Sequence, residues 1–288
     1  MNGTKIQMPP AAQQKVACED RDTIAEIFAA IALRASVEVM RIYASDCHAR
    51  RKPDQSPVCD ADEQAEAIIL EQLAVRLPHL PVVAEEASAR GDRPRCGSSF
   101  ILVDPVDGTK EFLSHTGEFT INIALIEAGT PIAGVVYAPA LDRLWLGGTK
   151  AFVCTVAPGG VLPPVSARHA IHVRRAPSHG LTALASRSHS NAETEAFLGR
   201  LAIAERHSAG SSLKFCAVAE GEADVYPRFG PTMEWDTAAG DAVLRAAGGL
   251  VLGLDNQPLH YGKATELYRN DFFIAWGDRA LVPEKPIA

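Results

Sequence analysis

Apolar positions recur at two different periods along this chain, and the change between them outlines its elements. Over residues 22–43, Ile24, Ile27, Phe28, Ile31, Leu33, Val37 and Met40 recur at helical spacing behind an acidic start, which predicts an amphipathic helix. A polar loop follows, and Ile68, Ile69, Leu73 and Leu77 mark a second helix entered through Asp60-Ala61-Asp62-Glu63. Asp60 and Glu63 have capping-box spacing, which places Asp62 in the first turn near unpaired backbone N–H groups. Residues 81–86 read as a short strand stopped by two acids, and residues 100–103 as a buried strand. The apolar runs 119–126, 131–138, 143–146 and 151–156 are separated by turns at Gly129 and Gly147-Gly148, which predicts an antiparallel meander.

Residues 157–170 contain Pro158-Gly159-Gly160 and Pro163-Pro164, the strongest linker signal in the chain. A boundary is expected there, with an α+β half over 1–160 and an α/β half over 161–288. In the second half, strands are expected at 181–186, 223–226, 250–254 and 271–276, and helices at 192–201, 211–219 and 237–247. Such mixing reads as an α/β layer packed on an α+β layer.

Composition narrows the function classes. With 288 residues, 47% of them hydrophobic, the chain can bury a sizeable core. Its formal net charge is -7 and it has no lysine or arginine run, which argues against general binding to nucleic acid or anionic membranes. A small anionic ligand remains compatible, because a metal and a few focused cations can hold a phosphate in an acidic protein. The six cysteines are scattered without a Cys-x-x-Cys pair, so free thiols in a reducing compartment are expected. Residues 1–20 lack the apolar core of a signal peptide, and no stretch approaches the roughly 18 apolar residues of a membrane span. A cytoplasmic protein without an integral membrane segment is the expectation.

The candidate chemistry centres on Asp104-Pro105-Val106-Asp107-Gly108-Thr109, where an apolar strand ends in two carboxylates. Pro105 and Gly108 suit a sharp turn, so Asp104 and Asp107 can face one centre with the Thr109 hydroxyl beside it. Hard divalent cations take such oxygen ligands, although aspartate also favours turns for local reasons. Other features are ordinary when taken singly: Asp62 compensates a helix dipole, Glu85-Glu86 forms a solvated turn, and Asp236 caps an alanine-rich helix. Gly210-Ser211-Ser212-Leu213-Lys214 opens a helix with two hydroxyls and a lysine, at an end that favours anions.

Taken in order and spacing, these pieces resemble a known family. Glu85-Glu86, Asp104-Pro105-Val106-Asp107-Gly108-Thr109 and Trp235-Asp236-Thr237-Ala238-Ala239-Gly240 are similar to the marks of the magnesium-dependent, lithium-sensitive phosphatases of the inositol monophosphatase superfamily. The resemblance spans about residues 52–276. Lys110-Glu111-Phe112, Ser186-Arg187-Ser188-His189, residues 210–216 and residues 226–232 look like its bacterial 3'(2'),5'-bisphosphate nucleotidase branch. Members of that branch convert adenosine 3',5'-bisphosphate to AMP and phosphate, with the sulfated precursor as a further candidate substrate.

The resemblance implies a layered αβαβα sandwich with its site between the halves. It implies that Glu85, Asp104, Asp107, Asp236 and the carbonyl of Val106 hold two or three magnesium ions, with manganese able to substitute. Thr109, oriented by Asp62, would position and deprotonate the attacking water. Gly108, Thr109, His189, Ser211, Lys214 and Arg228 would contact the substrate. The implied partner is a small nucleotide bisphosphate, with no nucleic acid, for a monomer or homodimer whose peripheral association with the inner membrane stays open. Two departures stand out: Ala84 where glycine or serine often precedes the acidic pair, and Cys59 where threonine is usual. An inositol or sugar monophosphatase would share the metal residues, and a non-catalytic nucleotide-binding protein would share the fold.

Overall fold

The computed structural model describes residues 21–45, 50–51, 57–186 and 191–287. The first half carries α1 (Arg21–Tyr43), the short pair β1 (Arg50–Arg51) and β2 (Pro57–Val58), and α2 (Asp60–Arg76). It continues through β3 (Val82–Ala84), α3 (Glu85–Ala89), β4 (Ser99–Asp107), α4 (Thr109–Leu113), β5 (Thr120–Glu127), β6 (Thr130–Ala138), β7 (Arg143–Gly147) and β8 (Ala151–Thr155). Beyond the proline-rich segment come β9 (His169–Ile171), β10 (Leu181–Ser186), α5 (Ala192–Leu198), β11 (Ile203–Ala209), α6 (Leu213–Ala219) and β12 (Val225–Arg228). The last elements are β13 (Thr232–Met233), α7 (Glu234–Ala246), β14 (Leu250–Gly253), β15 (Arg269–Asn270) and β16 (Phe273–Trp276).

Two sheets organise these elements. Strands β3 to β9 form a seven-stranded sheet in sequence order, antiparallel except for the parallel pair β3 and β4. A five-stranded sheet has the order β11-β10-β12-β16-β14. Helices α1 and α2 cover one face of the large sheet, α6 and α7 lie between the sheets, and α5 covers the far face of the small one. The αβαβα sandwich expected from the resemblance is therefore present. Because the large sheet is covered on both faces, β4 and β5 are apolar on both sides, with Ile101 and Val103 facing one core and Phe100 and Leu102 the other.

Close packing of α7 depends on small residues. An ideal Cβ on Gly147 of β7 would lie 2.7 Å from Val243 Cα and 2.8 Å from Ala242 O, both in α7. On an adjoining face of the helix, Gly240 leaves room for the Phe215 ring of α6. The helix is thus pressed against both the large sheet and α6, which fixes the position of its N-terminus.

Several boundaries differ from the sequence reading. The acids Glu85-Glu86 open helix α3 instead of closing a strand in a solvated turn. Strand β4 continues to Asp107, and α7 begins at Glu234, so Asp236 is its third residue and not its cap. Helix α2 is capped by Cys59 and not Asp60, with Asp62 as its third residue. Strand β9 lies past residue 160 yet pairs with β8, so the large sheet extends across the expected boundary. Strand β11 was not anticipated; it is a sheet edge whose central residues Glu205, Arg206, His207 and Ser208 carry no apolar alternation. Among the described residues, Cys59, Cys96, Cys154 and Cys216 are free thiols, and no helix is long and apolar enough to cross a membrane.

The α7 contact makes a direct prediction. Gly147→Ala should destabilise the protein by about 1–3 kcal/mol through overpacking against rigid backbone. Gly97→Ala, where no atom lies within 4 Å of the added Cβ, should leave the melting temperature nearly unchanged. Thermal unfolding of the two variants checks the contrast.

Candidate active site

Asp62 and Asp236 occupy equivalent positions on different helices. Each is the third residue of its helix, and each uses Oδ2 to accept the backbone N–H of the capping residue: Cys59 at 2.9 Å and Met233 at 2.8 Å. Such a tether satisfies an otherwise unpaired N–H and locks the carboxylate's direction. The other oxygen of Asp62 faces Thr109, whose hydroxyl lies 3.4 Å from Asp62 Oδ1 and 3.5 Å from the Val106 carbonyl.

The middle wall of the site comes from an irregularity in β4. Asp104 pairs with Asn122 and Asp107 with Thr120, and the register shifts between the two pairs. Residues three apart in a regular strand face opposite sides, so this bulge re-aims the segment between Asp104 and Asp107. Asp104 Oδ1 accepts the Val106 N–H at 3.1 Å. Gly108 then takes φ +91°, a conformation that side-chain-bearing residues rarely adopt, and caps α4 so that Thr109 is its first residue.

The second half supplies the facing wall. Ser211, with φ +53°, and Ser212 precede α6, and both hydroxyls reach Asp107 Oδ2, at 2.7 and 3.1 Å. Ser212 Oγ also lies 2.9 Å from the Asp236 carbonyl. From β5, Asn122 Nδ2 donates to Ser212 Oγ at 3.1 Å and stands 3.5 Å from Asp107 Oδ2. Gly210 N–H donates to Glu118 Oε2 at 2.7 Å, a further bond between the halves.

Glu66 sets the remaining wall. One helical turn beyond Asp62, it is buried, its Oε2 accepts the Glu86 N–H at 2.6 Å, and its Oε1 pairs with Arg90 at 3.1 Å. This anchors the start of α3, whose first residue is Glu85. Sequence reasoning passed over Glu66, Thr120 and Asn122 as parts of the site, and pointed to Ser212 only as one of the two hydroxyls in residues 210–214. The signals were an i, i+4 acidic pair on α2 and two polar residues on one face of a strand whose other residues before Glu127 are apolar.

Burial and crowding dominate the electrostatics. Asp104 is only 1% exposed, and its carboxyl is pushed well above the usual range by burial first and then by Glu85, Asp107, Asp236 and Asp62. Asp236 is raised by burial, then by Asp107 and Glu85, with its cap bond and Arg228 opposing. A group of hard oxygen donors whose charges raise one another fits divalent cations, and Glu85, Asp104, Asp107, Asp236 and the Val106 carbonyl are the donors at hand. No three acidic, histidine or cysteine side chains among the described residues are gathered tightly enough to enclose an ion as they stand. Asp62, Asp104, Asp107 and Asp236 are instead each held by a local N–H or hydroxyl donor.

The expected substrate contacts divide. Lys214 is buried, its ammonium is pushed down to about 8 chiefly by burial, and its Nζ donates to the Ala209 and Ser211 carbonyls at 3.0 and 2.6 Å. Arg228 donates through Nη2 to the Pro231 carbonyl at 3.2 Å, while its Nε is buried without a hydrogen-bond partner among the described residues. Gly108 and Thr109 border the acidic group, and Ser211 touches Asp107 directly. His189 lies outside the described residues.

The crowded acids should destabilise the metal-free protein in a definite direction. Because folding raises the pKa of Asp104 and Asp236, the folded state binds more protons than the unfolded state above about pH 3.9, the ordinary aspartate value. Their contribution to stability is therefore present at low pH and lost as pH rises through the raised values. Asp104→Asn should increase the melting temperature of metal-free protein at neutral pH and flatten this dependence. Unfolding curves across pH, with and without a divalent cation, measure both effects.

Comparisons with known proteins identify the family. Residues 20–279 match the inositol monophosphatase family. The chain is 43% identical over 234 residues to the 3'(2'),5'-bisphosphate nucleotidase CysQ of Salmonella typhimurium, covering 80% of this chain and 91% of that protein. It is 42% identical, with the same coverage, to the CysQ of Escherichia coli K12. The crystal structure of CysQ from Bacteroides thetaiotaomicron superposes with a TM-score of 0.75 at 37% identity, covering 89% of this chain and 98% of that one. Sequence and fold together place the chain in the inositol monophosphatase family.

Proposed function

We propose that the protein hydrolyses the 3'-phosphate of adenosine 3',5'-bisphosphate to give AMP and inorganic phosphate, with magnesium as cofactor. The observation that carries this reading is the position of the Thr109 hydroxyl, between Asp62 Oδ1 and the Val106 carbonyl at the border of the buried acids. Support for the nucleotide comes from the CysQ relatives, which are bisphosphate nucleotidases, and from the match of residues 210–216 and 226–232 to that branch.

Glu85, Asp104, Asp107, Asp236 and the Val106 carbonyl would hold two or three magnesium ions. When bound, such ions neutralise phosphate oxygens, lower the pKa of water and stabilise the leaving oxygen of an in-line displacement. Thr109 and Asp62 handle the proton: the Thr109 oxygen accepts one from the attacking water while its own hydroxyl donates toward Asp62. The water oxygen bonds to phosphorus, the bond to the 3'-oxygen breaks, and the departing oxygen takes a proton from solvent. Arg228 holds the second phosphate, because its Nε is buried and unpartnered and an arginine fork suits phosphate oxygens. Lys214 acts one step back, shaping the turn that carries Ser211 and Ser212. Free thiols fit a reducing cytoplasm, and a net charge of -7 fits a small nucleotide better than a nucleic acid. A monomer or a homodimer is compatible with a site built from one chain.

Phosphate release from adenosine 3',5'-bisphosphate, its sulfated precursor, myo-inositol 1-phosphate and fructose 1,6-bisphosphate tests this reading. Magnesium-dependent, lithium-inhibited turnover should favour the nucleotide. Preference for either sugar phosphate would move the protein to the monophosphatase side of the family, and no turnover would leave only nucleotide binding. Arg228→Ala should raise KM for the bisphosphate by about tenfold or more, the scale of a charge-assisted hydrogen bond, and change KM for 3'-AMP much less. Lys214→Ala should impair both substrates alike, because it loosens a wall that both share.

A further inference from the structure

Three donors from two sides of the molecule converge on one atom, Asp107 Oδ2. They are Ser211 Oγ at 2.7 Å, Ser212 Oγ at 3.1 Å and Asn122 Nδ2 at 3.5 Å. The orientation of the Asn122 amide follows from its neighbours: its Oδ1 accepts the Thr120 hydroxyl at 3.0 Å, which turns Nδ2 toward Ser212 and Asp107. Asn122 and Ser212 are each 1% exposed, so water cannot substitute for either partner at low cost. Ser212 is also within 2.9 Å of the Asp236 carbonyl, so one hydroxyl joins β4, β5, α6 and α7.

We infer that Asn122 and Ser212 are positioning residues that secure Asp107 Oδ2 and leave Oδ1 as the cation-facing donor. A carboxylate with two free oxygens can rotate or chelate; one held on a single oxygen presents a single donor in a fixed direction. Neither residue touches the reacting atoms. Outer partners of this kind typically set metal affinity by about ten- to a hundredfold. The inference rests on the reading of Asp107 as a metal ligand.

Manganese binding to the full-length, metal-free protein without substrate tests the inference, read by the electron paramagnetic resonance of free Mn2+ and by calorimetry. Asn122→Ala and Ser212→Ala should each raise the Mn2+ Kd by about tenfold. Asp107→Asn should raise it at least as much, and adding Asn122→Ala to Asp107→Asn should cause little further loss. If Asp107→Asn leaves the Kd unchanged, the ligand reading of Asp107 fails and the inference falls with it. If Asp107→Asn weakens binding while both single variants stay within twofold of the parent, only the positioning role is overturned. Equal losses from Asn122→Ala with and without Asp107→Asn would also overturn it, because the residue would then act elsewhere. Unfolding curves of the metal-free variants confirm that each is folded, and should Asn122→Ala not fold, Ser212→Ala decides.

Discussion

Carboxylates repel one another most strongly where water is excluded, and this protein buries Asp104 among Glu85, Asp107, Asp236 and Asp62. Left to itself such a group would disperse or take up protons. The surrounding structure prevents dispersal by giving these acids local restraints. Asp62 and Asp236 are tied to helix-capping N–H groups, Asp104 to the Val106 N–H, and Asp107 to two serines, while Glu66 anchors the turn that begins with Glu85. The restraints come from α2, β4, the approach to α6, and α7, so the site requires every layer on both faces of the large sheet. The small-residue seam between α7 and β7 belongs to the same constraint, because it determines where Asp236 arrives.

Much of this plan was legible in the sequence. The long apolar runs announced the meander, and Asp104 to Thr109 announced a strand ending in acids. The αβαβα order followed from the family resemblance, since alternation alone does not say which helices lie between sheets. Local propensity was least informative at the acids themselves. The third position of a helix is an ordinary place for a carboxylate, so Asp62 and Asp236 look like helix-end chemistry in sequence and become candidate site residues only when the fold brings both helix starts to the end of β4. The bulge in β4 was equally hidden, because it depends on pairing with Thr120 and Asn122 across the sheet.

Lys214 shows why a charge in a motif does not give its partner. In a helix, long side chains lean back toward the N-terminus, and Lys214 follows that rule to reach the Ala209 and Ser211 carbonyls. Buried there, its ammonium is taken up by those two carbonyls, one of them on Ser211, whose backbone is left-handed. Arg228, at the end of β12, keeps a guanidinium N–H unpartnered among the described residues, which is why the proposed phosphate contact falls to it and not to both of the cations that the resemblance implied.

The central claim is that one hydrolytic site is assembled from two halves of the chain, with Asp107 from the first and Asp236 from the second serving the same cations. Magnesium-dependent phosphate release from adenosine 3',5'-bisphosphate by Asp107→Asn and Asp236→Asn, each verified as folded, tests that claim most directly. The account predicts near-complete loss of turnover in both. Near-normal turnover in the Asp236→Asn protein would contradict it, because the first half would then suffice on its own.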